Sequence, residues 1–304
     1  MKTKLFINGI GSVSRLKDYN EILDETHEPI YKELIPAIKL RRMSRIMRMS
    51  NYAALTALKQ ASVEIPKAIN VGTGFGCLTD TEKFLATLLD NNEKFSNPSA
   101  FINSTHNTLA GNLAILLGAK GQNFTFVHPE NAFENALMDT WIGMNEGSFD
   151  DAIVGGVDEK TNLLESVYSS LSNSKIGEGA SFLAVSKNRE NESFAVIKGI
   201  QTDYSKTKTS IFVEHFMDEM GIDKNSIDLV LANESIIDAP IISYKNIVNE
   251  YPSVTAFACT LASQIISTQN TTHFIDETVE NINNILVHNK FPNGNQSLIL
   301  ISKV

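Results

Sequence analysis

The stretch DDAIVGGVDE, residues 150–159, decides the fold class of this chain. Its apolar run, residues 152–154, leads into Gly155 and Gly156, and the stretch ends on Asp158 and Glu159. A short apolar run bounded by turn residues is typical of a strand that is buried on both faces. The stretch therefore predicts a strand inside a sheet that other elements cover on both sides.

Predicted strands and helices alternate on either side of this stretch. Strands are predicted at 4–10, 69–74, 124–127, 180–185, 194–200, 227–232 and 297–304. Helices are predicted at 43–61, 79–89, 107–117, 129–144, 210–220 and 242–250, and from about residue 259 onward, with Pro129 an early residue of its helix. Such alternation predicts an α/β fold with parallel sheets covered on both faces.

The order of elements repeats after a charged segment at residues 187–193. We therefore expect two similar α/β halves, 1–187 and 188–304, packed as one compact unit, although no repeat is visible at the level of residues.

Composition excludes several classes of protein. The 304 residues are 42% hydrophobic, with a net charge of −9, and an acidic balance argues against nucleic-acid binding. No apolar run approaches the roughly 20 residues that cross a bilayer, and we expect no membrane span. Two cysteines fit reduced thiols, so we expect a cytoplasmic protein.

Four segments in order resemble the β-ketoacyl synthase branch of the thiolase superfamily: RRMSRIMRM at 41–49, NVGTGFG at 70–76, residues 150–159 and GEGASFL at 177–183. The resemblance implies thiolase-like duplicated βαβαβ halves that form a layered α/β/α/β/α sandwich. PSAFINSTHNTLAG at 98–111 also resembles the "SVHNA-AG" signature of short synthase-like proteins that accompany aryl-polyene and related pathways.

The same resemblance implies where the catalytic groups would lie. Condensing enzymes of this family carry a cysteine nucleophile after a G-P-N-Y-T-V-S-T-A run, at a helix N-terminus. Here GQNFTFVHPE at 121–130 places Glu130 at the cysteine position. A carboxylate suits a helix N-terminus but cannot take an acyl chain by thioester exchange. Glu130 could mimic the charge of the acyl-enzyme, aid decarboxylation or only stabilise its helix.

Two histidines complete the family's catalytic set, and both are replaced. The first lies in an A-H-G-T-G-T turn, where LANESI at 231–236 places Asn233. The second lies in K-S-x-x-G-H, where we align VTAFAC at 254–259, with Cys259 at the histidine and Val254 at the lysine. The resemblance therefore predicts a chain without the Cys-His-His set.

The chain-length-factor subunit of type II polyketide synthases is a similar case. We expect this chain to work with an active ketosynthase in fatty-acid, aryl-polyene or polyketide assembly, as a heterodimer or with itself as a homodimer. An acyl carrier protein is the other expected partner, and no cofactor is expected. One alternative is an active acyltransferase, hydrolase or 3-oxoacyl-carrier-protein synthase that uses Cys259 or Cys77. Another is a structural homodimer.

Several residues are candidates for the pocket or the partner surface. His106 and Asn107 could touch a phosphopantetheine arm or the partner, or could form a helix-capping pair. Aromatic side chains are candidates for the acyl tunnel or the interface: Phe101, Phe124, Phe126 and Phe133.

A basic helical face, Arg41, Arg45 and Arg48, could dock an acidic carrier protein. It could equally be solvated, or form salt bridges to Glu25 or Glu33.

Other sites are not expected. The six histidines show no HxxxH spacing and the two cysteines form no CxxC, so no metal site is predicted. Residues 72–76 read GxGxG rather than GxGxxG, which argues against a dinucleotide site. Cys77 is predicted to be a buried structural thiol rather than a nucleophile.

Overall fold

The computed structural model describes residues 4–94, 98–171, 175–190, 192–275 and 279–304. Its strands are β1 (Leu5–Val13), β2 (Leu16–Lys17), β3 (Glu21–Ile22), β4 (Ala68–Thr73), β5 (Gln122–Val127), β6 (Asp151–Asp158), β7 (Gly179–Ser186), β8 (Ala195–Asp203), β9 (Leu229–Leu231), β10 (Ile241–Ile242), β11 (Asn284–Lys290) and β12 (Gln296–Ser302). Its α-helices are α1 (Ala37–Leu40), α2 (Arg45–Gln60), α3 (Leu78–Asp90), α4 (Pro98–Ser104), α5 (Thr108–Leu117), α6 (Ala132–Glu146), α7 (Asn162–Leu171), α8 (Thr209–Met220), α9 (Tyr244–Val248) and α10 (Val254–Thr268).

Ten strands form one sheet, and its order reveals the duplication. The first five strands lie in the order β5-β4-β6-β7-β1, and the other five repeat it as β10-β9-β11-β12-β8. In each half the first two pairings are parallel and the next two are antiparallel. The halves meet where β1 pairs with β8. The duplicated α/β fold is therefore confirmed.

The sheet is mixed, and the expectation of parallel sheets is wrong for β6, β7, β1, β8, β12 and β11, which form antiparallel pairs. One cause is visible at β11 and β12, which a five-residue loop joins at 291–295. A connection this short permits only an antiparallel pair.

Three apolar clusters lie between the sheet and the helices that cover it, and together they define five layers. On β12, Ile299 and Ile301 face a central cluster, whereas Leu298 and Leu300 face a second cluster around α8. This alternation follows from the two-residue period of a strand. Helices α6 and α10 lie in the central cluster and contact strands of both halves, while α2 and α5 cover the outer face of the first half. The layering α/β/α/β/α follows.

The chain passes from one half of the sheet to the other between Ser186 and Ala195. The boundary at 187/188 falls in this segment, in which Asn191 lies outside the described residues; the division into two packing units stays a prediction. Among the helices in the described ranges, none is both long and apolar enough to cross a bilayer.

Candidate functional site

Glu130 lies in the turn before α6, not in the first turn of that helix. The prediction that the helix begins at Pro129 is wrong, because α6 begins at Ala132 after Asn131. Asn131 has a φ of 54° and is fully buried. A left-handed residue cannot form part of a right-handed helix, so α6 begins only after Asn131 and residues 128–130 lie outside it.

Two amides from the second half of the chain bind the Glu130 carboxylate. Asn293 Nδ2 donates to Glu130 Oε2 at 2.5 Å, and Asn295 Nδ2 donates to the same oxygen at 2.7 Å. The Glu130 backbone N–H donates to His128 Nδ1 at 3.1 Å. Both asparagines lie in the loop 291–295, so the carboxylate ties this loop to the start of α6.

A cavity of about 400 Å³ opens beside this loop. Asn233, which follows β9, lies in its wall, and its Oδ1 accepts a hydrogen bond from Ser243 Oγ at 2.9 Å. The same wall contains Glu234, Lys245, Glu250, His288, Lys290, Phe291 and Pro292. Asn233 therefore reaches a cavity whose other side belongs to the loop that holds Glu130.

Lys245 and Glu250 form an ion pair in this cavity that the sequence interpretation missed. Lys245 is only 8% exposed, and its Nζ lies 2.6 Å from Glu250 Oε2. The hexapeptide KNIVNE at 245–250 has the spacing of the K-S-x-x-G-H motif, with lysine at its start. Asn249, at the glycine place, has a positive φ of 63°. The hexapeptide fits the motif better than residues 254–259 do, and this alignment would set Glu250 rather than Cys259 at the second histidine position and Lys245 rather than Val254 at the lysine.

Neither cysteine lies where a substrate could reach it. Cys259 is fully buried in α10, where burial, and then the charge of Glu134, raises the pKa of its thiol well above the ordinary value. Cys77 is also fully buried, and its thiol pKa is raised mainly by burial. The interpretation of Cys77 as a buried thiol is confirmed, and Cys259 does not line the cavity that contains Asn233.

A buried polar cluster lies beneath Glu130. Glu134, on α6, is fully buried, and its Oε1 accepts from Ser297 Oγ at 2.8 Å. Burial raises the pKa of Glu134, while Thr255, Ser297 and Asn289 act in the opposite direction. Asn289 Nδ2 donates to Thr255 Oγ1 at 2.8 Å. Glu134 Oε2, Asn289 Oδ1 and both amide atoms of Asn131 have no partner among the described residues.

This cluster was absent from the sequence interpretation, although one signal pointed to it. Glu134 interrupts an apolar face of α6 that carries Phe133, Ala136 and Leu137. A lone carboxylate among buried apolar positions is unusual enough to mark a special environment.

Asp158, at the end of the stretch that decides the fold, joins the two halves of the chain. Its Oδ1 accepts from Thr73 Oγ1 at 3.1 Å and from the N–H groups of Gly74 and Phe75 at 2.8 and 3.2 Å. Its Oδ2 accepts from the Ser253 N–H and Oγ at 2.9 and 2.7 Å. One carboxyl group thus fixes the turn after β4 against the start of α10.

The aromatic candidates divide into core and surface. Phe133 is fully buried in the central cluster, so its assignment to the pocket or the partner surface is wrong. Phe101 is exposed and stacks on Phe84 at a centroid distance of 5.5 Å. Phe124 is 50% exposed on the edge strand β5, edge-to-face with the partly buried Phe126 at 6.3 Å.

His106 and Asn107 do not form a capping pair. Asn107 is the N-cap residue of α5, but its side chain forms no capping hydrogen bond. The His106 ring lies over Gly76, where a Cβ atom would meet it at 2.3 Å. Gly76 therefore gives the ring room to pack on the glycine turn that follows β4.

Two of the three arginines of the basic face, Arg45 and Arg48, bind other groups of this chain. Arg45 binds Glu178 through two nitrogens at 2.6 and 2.7 Å, and its Nε lies 2.6 Å from Glu28. Arg48 donates to the carbonyl oxygens of Met43 and Leu40 at 3.1 and 3.2 Å.

Docking of a carrier protein through Arg45 and Arg48 stays a prediction, whereas the salt bridges that were weighed for this face, to Glu25 or Glu33, do not occur among the described residues. Arg41 is exposed, and its docking role stays a prediction. Within the described ranges, no three His, Cys, Asp or Glu side chains come together as a metal site would require.

Comparisons with known proteins agree with this architecture. A family model described as the N-terminal domain of beta-ketoacyl synthase matches residues 16–209. No curated protein matches the sequence. The ishigamide ketosynthase/chain length factor is similar in structure, with a TM-score of 0.80 and 13% identity over the whole of both chains.

Two further structures cover nearly the same length. A beta-ketoacyl synthase from Burkholderia phymatum STM815 has a TM-score of 0.76 and 15% identity over the whole of both chains. The ketosynthase ApeO in complex with its chain length factor ApeC, from Xenorhabdus doucetiae, gives a TM-score of 0.74 and 14% identity, covering 99% of this chain and 98% of the other. At these identities the structures bear on the fold alone.

Proposed function

Because this chain belongs to the β-ketoacyl synthase family, we propose that it is a non-condensing subunit that works beside an active ketosynthase in the manner of a chain length factor. The observation that carries the proposal is the Glu130 carboxylate, which we align with the family's cysteine and which two asparagine amides bind. The similarity to solved structures that contain a chain length factor supports it at the level of the fold.

The chemistry of the cavity supports the same proposal. Condensation needs a thiolate to hold the acyl chain and imidazole groups to bind the thioester oxygen of the malonyl unit. Glu130 cannot exchange a thioester, and the amide of Asn233 neither takes nor gives a proton at neutral pH. Lys245 Nζ lies 2.6 Å from Glu250 Oε2, so the Glu250 carboxylate is engaged in an ion pair within the chain.

The edge strand β5 is the surface that we assign to the partner. Among the described residues β4 is its only neighbouring strand, so its outer edge has no strand to pair with. The exposed apolar side chains around it are Phe124 and Val127 on β5, Ile115 on α5, and Phe101 and Ile102 on α4. An apolar patch beside an open sheet edge favours pairing with another chain.

The test begins with the purified chain, acyl- and malonyl-carrier protein, and a candidate ketosynthase. We expect no condensation product from the chain alone, and a 1:1 complex with the ketosynthase by native mass spectrometry. Phe124→Glu should abolish the complex, because it introduces a charge at the centre of the patch. Leu163→Glu, at an exposed position of α7, is the matched control and should leave it intact.

Three outcomes would contradict the proposal in different ways. Condensation by the isolated chain would show an active synthase with a non-standard site. Acylation of Cys77 or Cys259, seen by intact mass after exposure to an acyl donor, would favour the acyltransferase alternative. A dimer of this chain that persists beside every ketosynthase tested would favour the structural homodimer.

Retention of an acidic carrier protein that Arg41→Glu weakens would support the carrier partner.

A further inference from the structure

A second cavity lies at the opposite end of α6 from Glu130. It has a volume of about 230 Å³ and lies between the C-terminal half of α6, the strand β8 and the end of α8. Its walls are mainly apolar: Met138, Trp141, Ile142, Asn145, Lys198, Gly199, Ile200 and Met220.

A β-bulge shapes the wall that β8 contributes. Gly199 pairs with Leu300, but Ile197 pairs with the adjacent Ile301, so Lys198 is an extra residue in this strand. A bulge breaks the alternation of side chains and redirects the extra one. As a result, three consecutive residues, 198 to 200, all line the cavity.

Lys198 places a positive charge at this apolar wall. The residue is half-buried, and it forms no ion pair with any residue in the part of the chain that the structure describes. Burial lowers its pKa, and the nearby ammonium of Lys4 acts in the same direction. An anion bound next to Lys198 would favour its charged form, because the anion offsets both the cost of burial and the repulsion from Lys4.

We propose that this cavity binds a small apolar carboxylate, with its carboxylate on Lys198 and its hydrocarbon part against Trp141, Met138 and Met220. The volume lies below the roughly 300–1,000 Å³ of pockets for drug-sized ligands, which favours a short-chain or single-ring acid. Methionine side chains adapt to apolar ligands of varied shape, and the lysine supplies a charged contact for the carboxylate.

Gly199 gives a way to fill the cavity without altering its charge. A Cβ atom at this position would meet the Met220 sulfur at 2.3 Å. Because that sulfur lies in a flexible side chain, we expect Gly199→Ala to displace Met220 rather than the strand.

The experiment uses the single tryptophan of the chain, Trp141, as a reporter. Octanoate, and octanol as its uncharged analogue, are titrated into the full-length protein while tryptophan emission is recorded, and calorimetry provides a second measurement. We expect saturable binding of octanoate that is about tenfold tighter than that of octanol, the size of one charge-assisted contact. Lys198→Met should weaken octanoate by a similar factor, and Gly199→Ala should weaken both ligands.

Lys83→Met, at an exposed position of α3, is the matched control and should bind octanoate like the unchanged chain. Circular dichroism checks that each variant is folded. If octanoate gives no saturable signal by either method, the site does not exist. Equal affinities for octanoate and octanol would overturn the assignment of a carboxylate ligand, and so would an unchanged octanoate affinity of the Lys198→Met protein. The cavity would then be an apolar surface for a protein partner.

Discussion

Replacing Glu134 by glutamine should change how the stability of this protein depends on pH. The folded chain raises the pKa of Glu134, chiefly by burial, whereas the unfolded chain leaves it near the ordinary value of about 4.3. Above that pH the unfolded state releases the proton and the folded state keeps it. The free energy of unfolding therefore falls as pH rises from about 4.3 to the folded pKa, and it is flat above that value.

The magnitude follows from proton linkage. One proton held only in the folded state lowers the free energy of unfolding by about 1.4 kcal/mol per pH unit within this window. Glutamine has the shape of the protonated acid, and its oxygen can accept the same hydrogen bond from Ser297. At low pH we therefore expect the variant and the unchanged chain to differ by less than about 1 kcal/mol.

The assay is urea unfolding at a series of pH values from 4 to 8, with the difference between the two proteins as the measured quantity. All other titrating groups cancel in that difference. We expect the Glu134→Gln protein to gain stability relative to the unchanged chain as pH rises, and then to level off. Glu146→Gln, at an exposed position of the same helix, is the matched control for the loss of one carboxylate. A constant difference for Glu134→Gln would refute the reasoning.

Three further predictions concern other residues. Asp158→Asn should lower the free energy of unfolding by about 3–5 kcal/mol in urea titrations, since an NH₂ group would face N–H donors; a loss below 1 kcal/mol would contradict the role given to this residue. Cys77 and Cys259 should not react with a thiol reagent at pH 8 until the chain unfolds, because burial raises both pKa values; reaction on mixing would contradict their burial. Arg45→Met should destabilise the chain by about 2 kcal/mol or more, because it leaves the buried Glu178 without its ion-pair partner. Arg41→Met should change stability by under about 0.5 kcal/mol in the same titrations. Equal effects of the two substitutions would argue against the ion pair of Arg45 with Glu178.

Much of the fold could be predicted because its signals are local. The apolar run before Gly155 and Gly156 became β6, and the helical spacing at 43–61 became α2, within two residues at each end. The antiparallel pairings could not be predicted, because they depend on which strands meet in space.

The site shows where local signals fail. Pro129 has the chemistry of an early helical residue, but the buried Asn131 that follows it is left-handed, so α6 begins only after Asn131. The partner of Arg45 is Glu178, which lies 133 residues away and has no local signal. By contrast, the spacing of Lys245 and Glu250 is visible in the sequence alone. The pair was overlooked because the K-S-x-x-G-H motif had been aligned with residues 254–259.

The position of β1 has a consequence for how this protein is made. It is the first strand of the sheet to leave the ribosome, yet both of its neighbours, β7 and β8, come more than 160 residues later. At about 5–20 residues per second, β1 waits on the order of 8–33 s with two open edges. Chaperones that shield apolar strands during synthesis should therefore bind the nascent chain early and leave only after β8 has emerged.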